Sequence, residues 1–366
     1  MKKTALYHQH TQLNAKIVDF SGWAMPIQYT SQIAEHNAVR STAGLFDVSH
    51  MAVVDIQGKD ASPFLRHLLA NDIQKLKTDG QALYSCMLNE NGGVIDDLIV
   101  YRLDTNNFRC VINAACCDKD IAWIQQQAAH FSVSIIQPND YCILALQGPD
   151  ARSLASQLLP QALSQTVNEL KPFHAYAAEG TLIARTGYTG EDGLELILPS
   201  HLAIEFWQHA IKAGVTPCGL AARDTLRIEA GLNLYGQDMT QDTSPLISNL
   251  AWTVSFHDTA RQFIGRTALT QEQEQGISEK LVGISMTERG VLRSGQVIHF
   301  NNGTEGTITS GSFSPTLNHA IGFARVPVDA PNHGSVIVRK KTTPIQIMKL
   351  PFVRQGKPCQ QLHPII

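Results

Sequence analysis

The segment Asn91-Gly92-Gly93-Val94-Ile95-Asp96-Asp97-Leu98-Ile99-Val100-Tyr101 sets two carboxylates inside a run of residues built for burial. Val, Ile, Leu and Tyr at this density favour a strand, and Gly92-Gly93 supplies the turn before it. Side chains alternate along a strand, so Asp97, Ile99 and Tyr101 share one face while Asp96, Leu98 and Val100 share the other. A buried carboxylate without a partner costs on the order of several kcal/mol or is driven toward its neutral form. At least one of the two acids therefore needs a donor, a cation or a ligand. Two readings stand level at this point. One acid could cap the glycine turn or pair with a distant arginine, or it could face a functional site.

The 366 residues allow two or three domains with ample core. With 29 basic against 32 acidic side chains, the charge balance argues against a nucleic-acid or membrane-surface partner, and small neutral ligands fit better. Met1 to His8 carries two lysines but no apolar segment behind them, and no stretch reaches the length of a membrane span, so a cytoplasmic location is expected. The seven cysteines include no CxxC pair, and their odd number argues for reduced thiols. Adjacent Cys116-Cys117 read as small hydrophobes near a helix start.

Strand-type segments at Met51 to Ile56, Tyr84 to Leu88, Val94 to Arg102 and Phe108 to Asn113 alternate with helical patterns at Ser62 to Leu69 and Lys119 to Ala129. Further on, Gln147-Gly148-Pro149-Asp150 leads into a helix over Ala151 to Leu159, followed by strands at Thr181 to Thr186 and Leu194 to Leu198. From about Glu279 the texture changes to six short strands between Gly and Asn turns: Leu281 to Met286, Gln296 to Phe300, Gly306 to Ser310, Ala320 to Arg325, Ser335 to Arg339 and Pro344 to Met348. That pattern predicts a small β-barrel, with the boundary near 275 separating residues 1–275 from 276–366.

Two other stretches carry candidate chemistry. Arg185 to Ile197 holds three glycines within seven residues, which suits a loop that folds over a planar ligand. It matches neither phosphate-loop pattern, and a strand follows where a dinucleotide fold needs a helix. Glu195 on that strand could face a pocket or solvent, and spacing alone favours solvent. Gly219 to Gly231 is a helix pattern that sets Arg223, Arg227 and Ala230 along one stripe. Two arginines one turn apart make a carboxylate receptor, or else pair with Asp224 or Glu229. The histidines lack metal-site spacing, and Gly311 to Ser314 lacks the serine-hydrolase elbow. No metal is expected.

Taken in order, Asp19 to Pro26, Gly44 to Met51, the Gly-Gly-Val-Ile-Asp-Asp strand, Arg185 to Glu195, Gly219 to Glu229, Leu234 to Met239 and Thr309 to Pro315 resemble the aminomethyltransferase (T-protein) family of the glycine cleavage system. The likeness runs through nearly the whole chain. It implies an α+β, three-domain cloverleaf with a C-terminal β-barrel, in which residues 1–275 form two intertwined α/β subdomains around a central folate. It further implies a tetrahydrofolate-dependent aminomethyltransferase. Such an enzyme takes its one-carbon unit from the aminomethyl-lipoyl arm of the H-protein and yields 5,10-methylenetetrahydrofolate, ammonia and the dihydrolipoyl carrier.

Carried over residue by residue, the resemblance makes Asp97 the catalytic acid and leaves Asp96 as a structural acceptor for the turn. It assigns Glu195 to the pterin ring, Arg223 to the glutamyl tail, Met51, Tyr84, Tyr101 and Tyr188 to the pocket, and Arg354 to a C-terminal return. One alternative is a non-catalytic folate-binding protein that supports iron–sulfur or tRNA modification. That type carries a Lys-Gly-Cys-Tyr-x-Gly-Gln segment, whereas Leu232 to Gln237 here contains no cysteine. Folate-binding proteins of sarcosine or dimethylglycine oxidation usually carry a fused flavin module, for which this chain has no room.

Overall fold

A computed structural model of the chain describes residues 1–178 and 180–360, so Gln361 to Ile366 of the tail lie outside the described residues. The strand Val94–Arg102 sits between Ala82–Leu88 and Asn107–Ile112 in a five-stranded antiparallel sheet completed by Ala52–Gln57 and Ser134–Ile136. Its preceding turn is capped by Asn89, whose Oδ1 accepts from the amides of Asn91 at 3.0 Å and Gly93 at 2.9 Å. Asp96 is therefore not the acceptor for the turn, contrary to the expectation from sequence. A side chain at Gly93 would come within 1.7 Å of the Gln241 carbonyl, so the backbone approach itself demands glycine.

The alternation along this strand sorts its side chains into two cores. Leu98 and Val100 pack with Val54, Ile56 and the helix Ala61–Leu68, which buries Phe64, Leu65 and Leu68. Tyr101, with Ile99 beside it, instead packs with Phe46, Val48, Ile143, Ala145, Leu182 and Ile197. Those residues belong to a second, six-stranded sheet and its flanks, ordered Ala175–Ala178, Thr181–Ala184, Gly193–Pro199, Tyr141–Gln147, Gly44–Asp47 and Thr216–Pro217. Two sheets thus meet across a shared apolar layer, into which the helix Leu220–Glu229 also sends Ala222 and Leu226. The outer face of the second sheet is covered by the helix Ser200–Lys212 through Ala203, Phe206, Trp207 and Ala210.

After the helix Arg266–Gln275, which stops at Gly276 with φ of 82°, six strands close into a barrel ordered Glu279–Met286, His319–Pro327, Glu305–Ser314, Val297–Phe300, His333–Val338 and Lys341–Met348. Ile284, Ile298, Ile308, Val336 and Ile345 fill it. The barrel docks on the helix Leu220–Glu229 through an apolar patch of Ile228, Leu281, Ile321, Phe323 and Phe352. Polar links cross the same joint: Ser310 Oγ donates to Asp238 at 2.7 Å and Thr316 Oγ1 donates to Glu229 at 2.8 Å. The cysteines are free, and Cys117 opens the helix Cys117–Gln127 directly after a 3₁₀ turn that ends at Cys116. Among the described residues no helix is long and apolar enough to cross a membrane.

Candidate active site

A cavity of about 1180 Å³ opens where the Asp97 strand, the glycine loop before Glu195, the Arg223 helix and the C-terminal return converge. Met51, Tyr84, Asp97, Tyr188, Glu195, Arg223 and Arg354 all line it. Tyr101 does not, although the resemblance placed it in the pocket. Its ring is only 1% exposed because the second sheet covers that end of the strand, and its hydroxyl meets Thr186 Oγ1 at 3.2 Å behind the cavity wall.

Asp97 stands at the end of the inter-sheet face where the apolar layer gives way to the cavity. Tyr84 donates to its Oδ2 at 2.8 Å and Asn113 Nδ2 donates to its Oδ1 at 3.0 Å. Burial, and then the charge of neighbouring Asp96, push its carboxyl up to about 7, against the pull of those two hydrogen bonds. A group poised there can hold or release a proton at neutral pH. Asp96, on the opposite face, is fully buried and accepts from Asn113 twice, from the backbone amide at 3.1 Å and from Nδ2 at 2.9 Å.

Glu195 faces the cavity from the strand Gly193–Pro199, contrary to the solvent position that spacing favours. Thr186 Oγ1 donates to its Oε2 at 2.6 Å, so Tyr101, Thr186 and Glu195 form one connected line from core to cavity. The loop between them is shaped by Gln147, which is fully buried, donates to Thr186 O at 3.1 Å and accepts from Thr189 Oγ1 at 2.8 Å. A methyl group at Gly187 would fall 1.9 Å from Gln147 Oε1.

The C-terminal return is anchored on both sides of the cavity. Its backbone pairs with the loop, Gln355 N donating to Gly190 O at 3.0 Å, and with the helix, Phe352 N donating to Glu229 O at 2.9 Å. These two ties hold exposed Arg354 at the cavity mouth. On the helix the two arginines of the stripe part company. Arg227 is largely engaged within the protein, donating to Asp224 at 2.9 Å, to Asp238 at 2.8 Å and to Ser310 at 2.9 Å. It ties the helix to the barrel. Arg223 lies with its guanidinium 4.7 Å from the centre of the Tyr188 ring, and its buried Nη1 has no partner among the described residues. Burial lowers its pKa from the ordinary value, while Glu195 and Tyr188 oppose that shift. A buried donor of this kind needs an acceptor, and the cavity is where one can arrive.

Four further residues shape the cavity that the sequence did not single out for this role. Asn113 bridges both acids, Thr186 orients Glu195, and His50 lines the cavity with its buried Nδ1 unpartnered among the described residues. Burial pushes the His50 imidazole down to about 4, with Asp47 opposing and Arg223 reinforcing the shift, so it is neutral at pH 7. Trp252, 62% exposed, stacks on Tyr84 with ring centres 5.5 Å apart. The only advance signal is local: Asn113 closes a strand and His50 precedes Met51 in the Val-Ser-His run.

Comparison with known proteins agrees with this architecture from end to end. Residues 6–258 match the GCVT N-terminal domain and residues 279–354 the glycine cleavage T-protein C-terminal barrel domain. The chain is 51% identical over 362 residues to an aminomethyltransferase of Xylella fastidiosa (strain M12), covering 98% of each chain. It is 50% identical over 356 residues to that of Pseudomonas syringae pv. tomato, covering 97% of this chain and 99% of the relative. The crystal structure of glycine cleavage system aminomethyltransferase T from Bartonella henselae superposes with a TM-score of 0.89 at 36% identity, over 97% of this chain and 98% of that one. With both parts of the fold matched in order and half of all residues shared across nearly the full length, the chain belongs to the glycine cleavage T-protein family of aminomethyltransferases.

Proposed function

We propose that the protein transfers the one-carbon unit of an aminomethyl group, carried on the lipoyl arm of an H-protein, to tetrahydrofolate, and that it does so in the cytoplasm. The observation that carries the mechanism is Asp97, a carboxyl pushed up to about 7 on the wall of a cavity that also offers an acceptor at Glu195 and an unpartnered donor at Arg223. The residues fit a folate. Glu195, whose Oε2 is already oriented by Thr186, suits the donor edge of a pterin, and Arg223 suits a carboxylate of the glutamyl tail. Met51, Tyr84, Tyr188 and Arg354 supply the remaining contacts, while Tyr101 acts from behind through Thr186.

In the reaction the carbon–sulfur bond breaks with its electron pair going to sulfur, which leaves as the dihydrolipoyl thiolate; of the two protons the folate nitrogens shed, one departs with ammonia and the other converts this thiolate to the thiol. A folate nitrogen adds to the resulting iminium carbon, ammonia departs, and the second folate nitrogen closes the methylene bridge. Asp97 stabilises the positive carbon–nitrogen unit and takes the proton released by the attacking amine, together worth on the order of 10²-fold or more. The folate region ends near 275, where the helix Arg266–Gln275 stops, and the barrel follows. The reading is tested by ammonia release from aminomethylated H-protein with and without tetrahydrofolate. Strong stimulation by folate is expected, and release that ignores folate overturns it.

A further inference from the structure

Behind Asp97 and Asp96 lies a further buried acid, Asp120, that does not line the cavity. Asp120, on the first turn of the helix Cys117–Gln127, is fully buried, and neither of its carboxylate oxygens has a hydrogen-bond partner among the described residues. It faces Asp96, with one ligand atom each of Asp96, Cys116 and Asp120 lying within 4.8 Å of one another. Two ionised carboxylates cannot be left side by side in such a place, because each disfavours the charge on the other and water is excluded.

Three species could relieve the repulsion: a metal ion, the ammonium of Lys119, or a proton. A metal would need the Cys116 thiolate as its third ligand, and burial, with the charges of Asp96 and Asp120, pushes that thiol up so that it keeps its proton. Lys119 Nζ comes only within 3.8 Å of Asp120 Oδ1, and it donates instead to Ile95 O and, at 3.0 Å, to the Tyr235 hydroxyl. A proton fits what remains. Asp96 has no hydrogen to give while Asn113 donates to both its oxygens, so the hydrogen belongs to Asp120. Burial and the neighbouring Asp96 both push the Asp120 carboxyl up, in the same direction.

We propose that Asp120 is a positioning residue for the transfer reaction: a neutral carboxylic acid that donates to Asp96 and so holds the Asn113 bridge that aims Asp97 into the cavity. The line runs from Asp120 to Asp96, from Asp96 to Asn113, and from Asn113 Nδ2 to Asp97 Oδ1 at 3.0 Å. The titratable groups that face Asp120 are Asp96 and Asp97 on the strand, Cys116 on the preceding turn, and Cys117 and Lys119 on its own helix. A single negative charge is thereby left behind Asp97 in place of two. The role of the relay rests on the aminomethyl-transfer reading, but the protonation of Asp120 does not.

Two measurements on the full-length protein separate the two. Infrared spectroscopy at a pH well above that of the Asp97 carboxyl should show one protonated-carboxyl band in the wild type, shifted by exchange into D2O and absent from Asp120→Asn. A wild type without that band overturns the proposal, as does one equivalent of zinc retained through dialysis with loss of the band. In the transfer assay, Asp120→Asn keeps a donor toward Asp96 and should stay within about threefold of wild-type kcat. Asp120→Ala should lose about 10- to 100-fold in kcat with little change in KM for tetrahydrofolate, the size of loss that misplacing a reacting group produces. Equal kcat for the Asn and Ala variants overturns the positioning role. A folate-independent enzyme that still shows the band would instead remove the function assigned to the site and leave the Asp120 proton standing.

Discussion

Tyr84 donates its phenolic hydrogen to Asp97 Oδ2 at 2.8 Å while its ring stacks on Trp252, so one side chain both ties the acid and forms the cavity's aromatic wall. The hydrogen bond favours the ionised carboxylate. Tyr84→Phe keeps the stacking and removes the donor, which should raise the Asp97 pKa further. A hydrogen bond to a charged group contributes roughly 1.5 kcal/mol or more, so the acid limb of the rate–pH profile should move up by about one unit. An unmoved limb would show that Tyr84 does not govern this proton.

Asp97→Asn should bind tetrahydrofolate nearly as well as wild type and lose on the order of 10²-fold or more in kcat. Stability should change in the opposite sense. The Asp97 carboxyl is raised to about 7 by burial and Asp96, so its neutral form is the one folding favours, and its ionisation weakens the fold progressively as pH rises from the unfolded value toward 7. Above pH 7 the Asn variant should therefore melt higher than wild type, and the gap should close as pH falls toward about 4. Thermal melts across that range check it.

Arg223 and Arg227 lie one turn apart but should fail in different ways. Arg223→Met removes a guanidinium whose Nη1 is buried without a partner among the described residues, so folding stability should be held or improved while KM for tetrahydrofolate rises at least about tenfold. Arg227→Met leaves Asp238 buried and short of its cation, and should cost about 3 to 5 kcal/mol of stability. Urea denaturation set beside steady-state kinetics separates the two.

Glu229 gathers Arg40 at 2.7 Å, His36 at 3.2 Å and the hydroxyls of Ser314 and Thr316 in one buried cluster. Burial alone would raise its carboxyl, but the hydrogen bond and charge of His36, the charge of Arg40 and the Ser314 hydroxyl bring it down to about 2. Because the folded value is depressed, this stabilisation is present above the ordinary carboxylate range and is lost as pH falls toward 2. Glu229→Gln should cost about 3 to 5 kcal/mol at pH 7, and its deficit relative to wild type should shrink below about pH 4.5. Urea midpoints at neutral and acid pH measure the difference.

Gly187→Ala drives a methyl group into Gln147 Oε1, and Gln147 is the buried amide that sets the loop ahead of Glu195. The loop must shift, so KM for tetrahydrofolate should rise several-fold with a loss of about 1 to 3 kcal/mol in stability. Titration of folate fluorescence quenching and a melt would register both effects.

Elements whose pattern repeats locally are legible in the sequence. Val94 to Arg102 has clear bounds because β-formers begin at a glycine turn, and the six barrel strands stand out by their Gly and Asn punctuation. Residues whose role depends on distant partners are not legible in this way. Tyr101 shares a face with Asp97 by strand alternation, yet the second sheet covers one and leaves the other open. Asp96 is separable from Asp97 by the same alternation, but its neighbours Asn113 and Asp120 come from later segments that periodicity cannot pair with it. The Arg223 and Arg227 stripe is real as a helix but does not present two free arginines, because Asp238 and Ser310 claim Arg227 from outside the helix.

The polar joint between barrel and helix has an evolutionary corollary. Hydroxyls of Thr309, Ser310, Ser314 and Thr316 complete the partners of Asp238 and Glu229, two fully buried acids on the other side. Deleting the barrel, or exchanging it for an unrelated one, would strand those acids in a dry interface. Recombination should therefore treat the two parts as a single heritable unit rather than as a detachable cassette, and a successful swap would have to carry the Thr309 to Thr316 hydroxyls with it.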